Sequence, residues 1–327
     1  MVVPALTKPT VLLLMAGCLL PVAAHAQGKG DFPNRPLRLV VPFAAGGSND
    51  IIARVLGARL ADAFGQTVLV DNRPGAGGLL GAEIVARAPP DGYNLMVHSA
   101  SFTTSVAIQP KLAFDPLKDL QPVTQLGAGT LVMAVPAGST AKTMGDLIAL
   151  ARAKPGSLNF GSAGTGTVGH LGTEVLGRMA RIEAVHVPYK GLAPAVAALV
   201  GGQLQYVLGD IPTILPQVKA GKLRFLGVSG DKRSPYLPDV PTIGETVAGY
   251  RVNHWWGLFV PGGTPRPVVM RLNEEVAKIL RTPEMRDRFD AEGAEAAPSS
   301  PEAFTRFVHS EIAFWRKVVL EGGFKPD

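Results

Sequence analysis

The chain has 327 residues, of which 46% are hydrophobic and 18% charged, and a formal net charge of +6. At roughly 150 residues per domain that is material for about two domains, each with a sizeable core. Lys and Arg form no basic run, which argues against nucleic-acid binding, and the 28 prolines and 38 glycines are scattered between short elements rather than gathered into a disordered tract.

The first segment does not belong to the fold. Lys8 precedes the apolar run Val11 to Leu20, followed by Pro21 and Ala24-His25-Ala26. A basic start, a short apolar stretch and an A-x-A end describe an export signal cleaved after Ala26. The run is too short to span a bilayer, which takes about 20 residues. Cys18, the only cysteine, lies inside it. Leu14 to Cys18 partly resembles a lipoprotein cleavage box, but the run continues through Leu20, so Cys18 reads as one more apolar residue of the signal. The exported chain then has no cysteine, which excludes disulfides, thiol catalysis and Cys-ligated metals.

Strand and helix patterns alternate from there on. Leu37–Val41 reads as a strand, Ile51–Phe64 as a helix, Thr67–Val70 as a strand, Leu79–Arg87 as a helix and Leu95–His98 as a strand. After a Pro-rich passage, Val123–Leu126 and Leu131–Val135 are two strand-like runs. Thr143–Ala153 is a helix, Leu158–Phe160 a strand, Val168–Met179 a helix and Ala184–Val187 a strand. Pro194–Val200 is a helix, and Leu204–Leu208 and Arg224–Val228 are strands. This alternation argues for parallel sheets with helices on both faces. The ending differs. Thr264 caps a helix with Pro265 at its first position, and Val268, Leu272, Val276 and Ile279 recur along one side. Ser299 and Glu302 have capping-box spacing before a last helix striped by Phe304, Phe307, Val308 and Trp315. Two closing helices with no strand between them predict a tail that packs back on an earlier part of the chain.

Most catalytic signatures are missing. There is no G-x-x-x-x-G-K-[ST] and no H-E-x-x-H, and His98, His170, His186, His254 and His309 lack ligand-spaced neighbours, so no metal is expected. No G-x-S-x-G elbow surrounds a serine. Gly164-Thr165-Gly166-Thr167-Val168-Gly169 matches G-x-G-x-x-G, yet Glu183 precedes the strand whose end should carry the ribose-binding acid. The loop therefore reads as a helix opening for something other than a dinucleotide, and no cofactor is expected.

The positive signal is a pair of polar, glycine-rich loops between a strand and a helix. One is Pro42 to Asp50, with Phe43, Gly47, Ser48 and Asn49. The other is Gly161 to His170, with Ser162, Ala163, Gly164, Thr165, Gly166 and Thr167. Each offers N–H groups and small hydroxyls at a helix N-terminus, whose partial positive charge suits a carboxylate or phosphate. Each is also what an ordinary strand-to-helix turn looks like. Two of them, one in each part of the chain, point to opposed jaws. Ser99 and Ser101, after the Leu95–His98 strand, and Asp210, after Leu204–Leu208, are further exposed polar candidates at strand carboxyl ends.

Pro42-Phe43-x-x-Gly46-Gly47-Ser48-x-Asp50 resembles the first-loop signature of the periplasmic solute receptors of tripartite tricarboxylate transporters, the Bug-type proteins. More of that pattern follows in order: Asn72-Arg73-Pro74-Gly75-Ala76-Gly77-Gly78, Ala88-Pro89-Pro90-Asp91-Gly92-Tyr93, Gly161-Ser162-Ala163-Gly164-x-Gly166-Thr167 and Pro188-Tyr189-Lys190-Gly191. Lys219-Ala220-Gly221-Lys222-Leu223-Arg224 and Pro238-Asp239-Val240-Pro241-Thr242 complete it. The resemblance covers the whole exported chain. It implies an α/β fold: a two-domain periplasmic-binding-protein clamp, or Venus flytrap, each domain a mostly parallel sheet flanked by helices. It implies capture of a small carboxylate, such as a di- or tricarboxylate, and delivery to the inner-membrane permease subunits of the transporter. It further implies that Ser48 and Asn49 in one loop, and Ser162, Gly164, Thr165, Gly166 and Thr167 in the other, hold the carboxylate, with His170 and Asp210 at the variable end.

Asn49 stands where the family usually has a small hydroxyl residue, Gln205 where an Asp is common, and Gly209-Asp210 where Asp-Asn is common. The tail places residues 27–124 with 247–327 in domain 1 and 125–246 in domain 2. The expectation is a periplasmic monomer that is not an enzyme. The alternatives are an α/β enzyme acting on a small carboxylate, for which no acid–base or nucleophile set assembles, and an orphan periplasmic sensor without its own permease. A regulator's effector domain would need a helix-turn-helix where the export signal stands.

Overall fold

The computed structural model of the chain describes residues 1–2, 32–291 and 293–325. The export signal, its cleavage point and Cys18 lie outside them. In chain order the elements are β1 (Leu37–Val41), α1 (Ser48–Phe64), β2 (Val68–Asn72), α2 (Leu79–Ala86), β3 (Asn94–Ser99), α3 (Ser101–Ile108), β4 (Leu120–Pro136), α4 (Met144–Ala153), β5 (Asn159–Ser162), α5 (Val168–Ala180), β6 (Val185–Pro188), α6 (Leu192–Val200), β7 (Tyr206–Asp210), α7 (Ile211–Lys219), β8 (Leu223–Val228), β9 (Asn253–Pro261), α8 (Arg266–Leu280), α9 (Pro283–Ala291), β10 (Ala294–Ala296) and α10 (Pro301–Gly322).

The architecture is α/β, as expected, around a mixed sheet. Its order is β2-β1-β3-β9-β4-β7-β5-β6, with β8 and β10 also pairing with β4. Parallel pairing is confined to the outer trios β2-β1-β3 and β6-β5-β7. The pairs that β9 and β4 make are antiparallel. β4 serves both halves of the sheet. Leu120 to Thr130 pair with β9, and Leu131 to Pro136 pair with β7 and β8. The two strand-like runs expected here are one strand. Gly127 and Gly129, which look like a break, give room instead: a Cβ on Gly127 would lie 2.5 Å from the Phe289 ring.

Three elements escape the periodic patterns. β9 is buried from its second residue onward, so it shows no polar–apolar alternation. α3 is rich in Ser and Thr, which are poor helix formers. α7 carries Pro212 in its first turn, where proline is tolerated, and Pro216 inside.

The tail departs from expectation in four details. Among the described residues it holds three helices rather than two, since α9 follows α8. β10 lies between α9 and α10 and pairs with β4. Ser300, not Ser299, caps α10, its Oγ accepting from Ala303 N at 3.1 Å. The Ser299 hydroxyl instead accepts from Gln125 N, tying the approach of α10 to β4. Pro265 precedes α8 as its cap, and the Thr264 hydroxyl donates to Pro261 O at 2.7 Å.

α10 packs on α3 and on β4. Its Phe304 and Phe307 rings sit edge-on to Trp255, and Phe304 also meets Phe259 at 5.4 Å. A Cβ on Gly257 would collide with the Phe304 ring, so glycine there sets how closely the helix approaches. Phe304, Val308, Ile312 and Trp315 are all buried, each worth about 1.5–3 kcal/mol relative to exposure. Side chains alternate along a strand, so His254 and Trp256 project from the opposite face of β9. Trp256 there lines a small apolar cavity with Ile51, Ile52 and Val55 of α1.

Candidate functional site

Strand carboxyl ends are where an open α/β sheet leaves room for a ligand, and five helices here begin at such ends around one cleft. β1 leads into α1, β3 into α3, β5 into α5, β6 into α6 and β7 into α7. The cleft is narrow, with a cavity volume of about 30 Å³. Ser48 of α1, Ser101 of α3, Val168 of α5, Leu192 of α6 and the α7 cap Asp210 all line it. First-turn N–H groups have no partner within their own helix. Ser48 N, Val168 N and Thr213 N are taken up by Thr213 Oγ1, Ser101 Oγ and Asp210 Oδ1, and the five N-termini still turn the positive ends of their dipoles to the cleft. No Lys or Arg is among the described residues that line it.

The first loop is pinned from behind. Asp50, in the first turn of α1, accepts from Gly46 N and Asn72 Nδ2, both at 3.0 Å, and pairs with Arg54 at 2.9 Å. Burial pushes its carboxyl up, but these hydrogen bonds and the Arg54 charge hold it below the usual carboxylate range. Phe43, Gly47, Ser48 and Asn49 are thereby presented to the cleft.

Ser48 has a different task from donating to a ligand. Its hydroxyl donates to Asp210 Oδ2 at 2.8 Å and accepts from Trp256 Nε1 at 3.0 Å, while its N–H donates to Thr213 Oγ1 at 3.1 Å. Thr213 also donates to the other Asp210 oxygen through both its N–H and its hydroxyl. The result is a latch from α1 to the start of α7, joining the two halves. Burial pushes the Asp210 carboxyl up, and the bonds from Thr213 and Ser48 oppose that shift.

The second loop reaches the cleft only in part. Ala163 and Thr167 line it; Ser162, Gly164, Thr165, Gly166 and His170 do not. Ser162 Oγ accepts from Gly164 N at 3.0 Å and lies 2.7 Å from His186 Nε2. His170 Nδ1 accepts from Gly166 N at 3.1 Å, and its ring stacks on His186 at 3.8 Å. This is the nearest approach to a nucleophile–base pair, and it lies behind the cleft with Ser162 fully buried. The glycines face the other half instead. A Cβ on Gly164 would lie 3.4 Å from Gly77 Cα, and one on Gly166 would lie 2.9 Å from Ile108 Cγ2. Gly164 and Gly166 have φ of +132° and +85°, which favours glycine. A second seam joins Ala44 N to Lys190 O at 2.9 Å.

Ser99, Ser101 and Asp210 line the cleft as expected, but they are buried rather than exposed. Gln205 lies away from it, its Oε1 accepting from Asn159 N at 2.7 Å. Sequence reasoning missed Leu131, Leu192 and Leu208, which form the apolar part of the wall, while Gly169 of the second loop and Gly209 lie in the lining as part of motifs it did single out. It also missed His254, whose strand carries no periodic signal.

Comparison with known proteins fits this geometry. Residues 52–324 match the family model described as Tripartite tricarboxylate transporter family receptor. The chain is 33% identical over 320 residues to protein BugT of Bordetella pertussis, covering 96% of each chain. It superposes with a TM-score of 0.88 on an R. palustris protein solved with adipate, at 35% identity over 91% of this chain and 100% of that one. With MatC of Rhodopseudomonas palustris with bound malate the TM-score is 0.83, at 35% identity over 88% and 100% of the two chains.

Proposed function

The chain belongs to the receptor family of tripartite tricarboxylate transporters, and from that premise we propose that it captures a small carboxylate in this cleft and delivers it to inner-membrane permease subunits. One observation carries the ligand class: five helix N-termini converge on a cleft lined by no cation. Such a lining suits a carboxylate, which accepts N–H bonds and needs no countercharge. Each hydrogen bond to a charged group is worth about 1.5–3 kcal/mol and each N-terminus typically ~0.3–1. Several together reach micromolar affinity, about −8 kcal/mol, when the loops are already ordered. The adipate and malate held by the two relatives support the same class.

In this reading the carboxylate meets the first-turn N–H groups of α1 and α5 beyond Ser48 and Val168, whose N–H groups are already bonded, with Ser101 as the hydroxyl donor and Phe43 as an apolar wall. The Thr167 hydroxyl is spent on Gly164 O at 2.7 Å. Ser48 and Asp210 act from behind, holding the halves together. The two domains follow the division expected from the sequence except within β4, where residues 125–130 pair with β9 and so go with the first domain, and the change of partners between Thr130 and Leu131 is one hinge. The protein acts in the periplasm as a monomer after cleavage following Ala26, without catalysis, cofactor or metal. Native mass spectrometry of protein purified without refolding tests the ligand class: a retained small acid is expected, and a retained cationic ligand would overturn it. Small-angle scattering tests the clamp, since a ligand favours closure only through its differential affinity for the closed state. A radius of gyration unchanged at saturation would count against it.

A further inference from the structure

Two side chains of the cleft are left with unused hydrogen-bonding atoms. His254 is 3% exposed, and neither of its ring nitrogens has a partner. Asn49 is 8% exposed; its Nδ2 donates weakly to Ser99 Oγ at 3.4 Å, and its Oδ1 has no partner. Both line the same cleft. Buried polar atoms are normally satisfied, so a set of them around a cavity describes what the occupant must supply. Burial holds His254 neutral, with its pKa down to about 3, so one ring nitrogen donates and the other accepts. Asn49 Oδ1 can only accept.

We propose that Asn49 and His254 select a carboxylate bearing a hydroxyl group. The proposal rests on the carboxylate reading above and adds the substituent. A hydroxyl both donates and accepts, so it can pair with Asn49 Oδ1 and with the His254 N–H, leaving only the accepting ring nitrogen of His254 to a second hydroxyl or a water. A keto group accepts only and leaves Asn49 Oδ1 unmatched. An ammonium donates only, leaves the His254 N–H unmatched, and calls for an available carboxylate. Asp210 is the one carboxylate among the described lining residues, and both its oxygens already accept from Ser48 and Thr213. A plain methylene leaves every one of these atoms unpaired.

Calorimetry on the purified, ligand-free protein with two matched sets of acids provides the test: succinate, malate and aspartate, then glutarate, 2-hydroxyglutarate and glutamate. The hydroxy acid of at least one set is expected to bind about tenfold or more tighter than both of its partners, because a site built to bond a hydroxyl penalises its loss. The ratio is expected to fall towards one in His254→Phe and in Asn49→Leu, and to be partly restored in His254→Gln, which keeps a donor and an acceptor. A preference for the plain or amino acid, or a ratio unmoved in folded His254→Phe, overturns the proposal and leaves the carboxylate reading standing. No binding of any of the six acids overturns both. A measurement free of variants is the imidazole ¹⁵N spectrum of His254. Its ring signals are expected to move with the hydroxy acid and not with the plain one, and equal movement overturns the proposal.

Discussion

The two glycine-rich loops look alike in sequence and are spent differently. The Pro42–Asp50 loop turns Phe43, Gly47, Ser48 and Asn49 towards the cleft. The Gly161–His170 loop gives it Ala163, Thr167 and the first residues of α5, and lays Gly164 and Gly166 against Gly77, Ser105 and Ile108 of the other half. Loop chemistry marks a helix N-terminus in both cases. What the loop then touches depends on which segment the fold brings opposite, and that segment lies some distance away in the chain.

Substitutions can break this contrast, and the largest effect is expected at Gly166. Its φ of +85° and its nearness to Ile108 and the Ser105 backbone make valine both strained and wedged into the seam. Left-handed backbone costs roughly 1–2 kcal/mol and overpacking about 1–3. Gly166→Val is therefore expected to weaken carboxylate binding about 100-fold or more in calorimetry, and wild-type affinity would show that the seam does not close around the ligand.

Ser48→Ala comes next. It leaves the buried Trp256 Nε1 and Asp210 Oδ2 each short of a partner, at about 1–3 kcal/mol apiece. Urea unfolding should show a loss of roughly 2–4 kcal/mol. Ser162→Ala should also destabilise, yet move affinity less, because its hydroxyl faces Gly164 and His186 rather than the cleft.

Acid sharpens the same comparison at His254. Its folded pKa is about 3, below the ordinary value of 6.5. A lowered histidine stabilises the fold above the unfolded pKa, and that stability drains away as pH falls from about 6.5 towards 3. Between pH 7.5 and 4.5 the wild type should lose about 2–3 kcal/mol that His254→Phe keeps, read as the difference between their urea midpoints at the two pH values. Equal losses would mean that His254 charges freely in the folded protein.

The smallest effects should come from Gly47→Ala and Lys111→Ala. Gly47 has φ −86° and nothing nearer a new Cβ than 4.0 Å, so alanine costs only the cap preference, about 0.5–1 kcal/mol. Lys111 is exposed and not among the cleft's lining residues, and its removal should leave affinity unchanged. Strong loss at Lys111 would require a charged site elsewhere and defeat the backbone cradle.

Most of the elements were legible because a half-buried strand or helix repeats its apolar residues with a fixed period. β1 was read to the residue, and α1 lost only its first turn, whose Ser48, Asn49 and Asp50 belong to the loop motif. β9 was not legible, since a strand buried on both faces keeps no period. That one omission hid His254 and the Trp256 contact to Ser48. The cleft's polar candidates were found from loop composition. Their division between ligand, latch and seam was not, because Ser48–Asp210 and Gly164–Gly77 are encounters between distant segments that no local pattern records.

The position of β9 also imposes an order of assembly. Every strand of the β7-β5-β6 end of the sheet, including its share of β4 and β8, lies between Leu131 and Val228, and the segment to Val252 packs beside it. The other end keeps a gap between β3 and β4 until residues 253–261 arrive to fill it, and α10 then covers the joint. During synthesis or passage through a membrane the later-made half of the sheet can be complete while the earlier-made half still shows two bare strand edges. Bare edges are where chains pair wrongly. A chain cut just before Asn253 keeps the first kind of structure and is left permanently with the second.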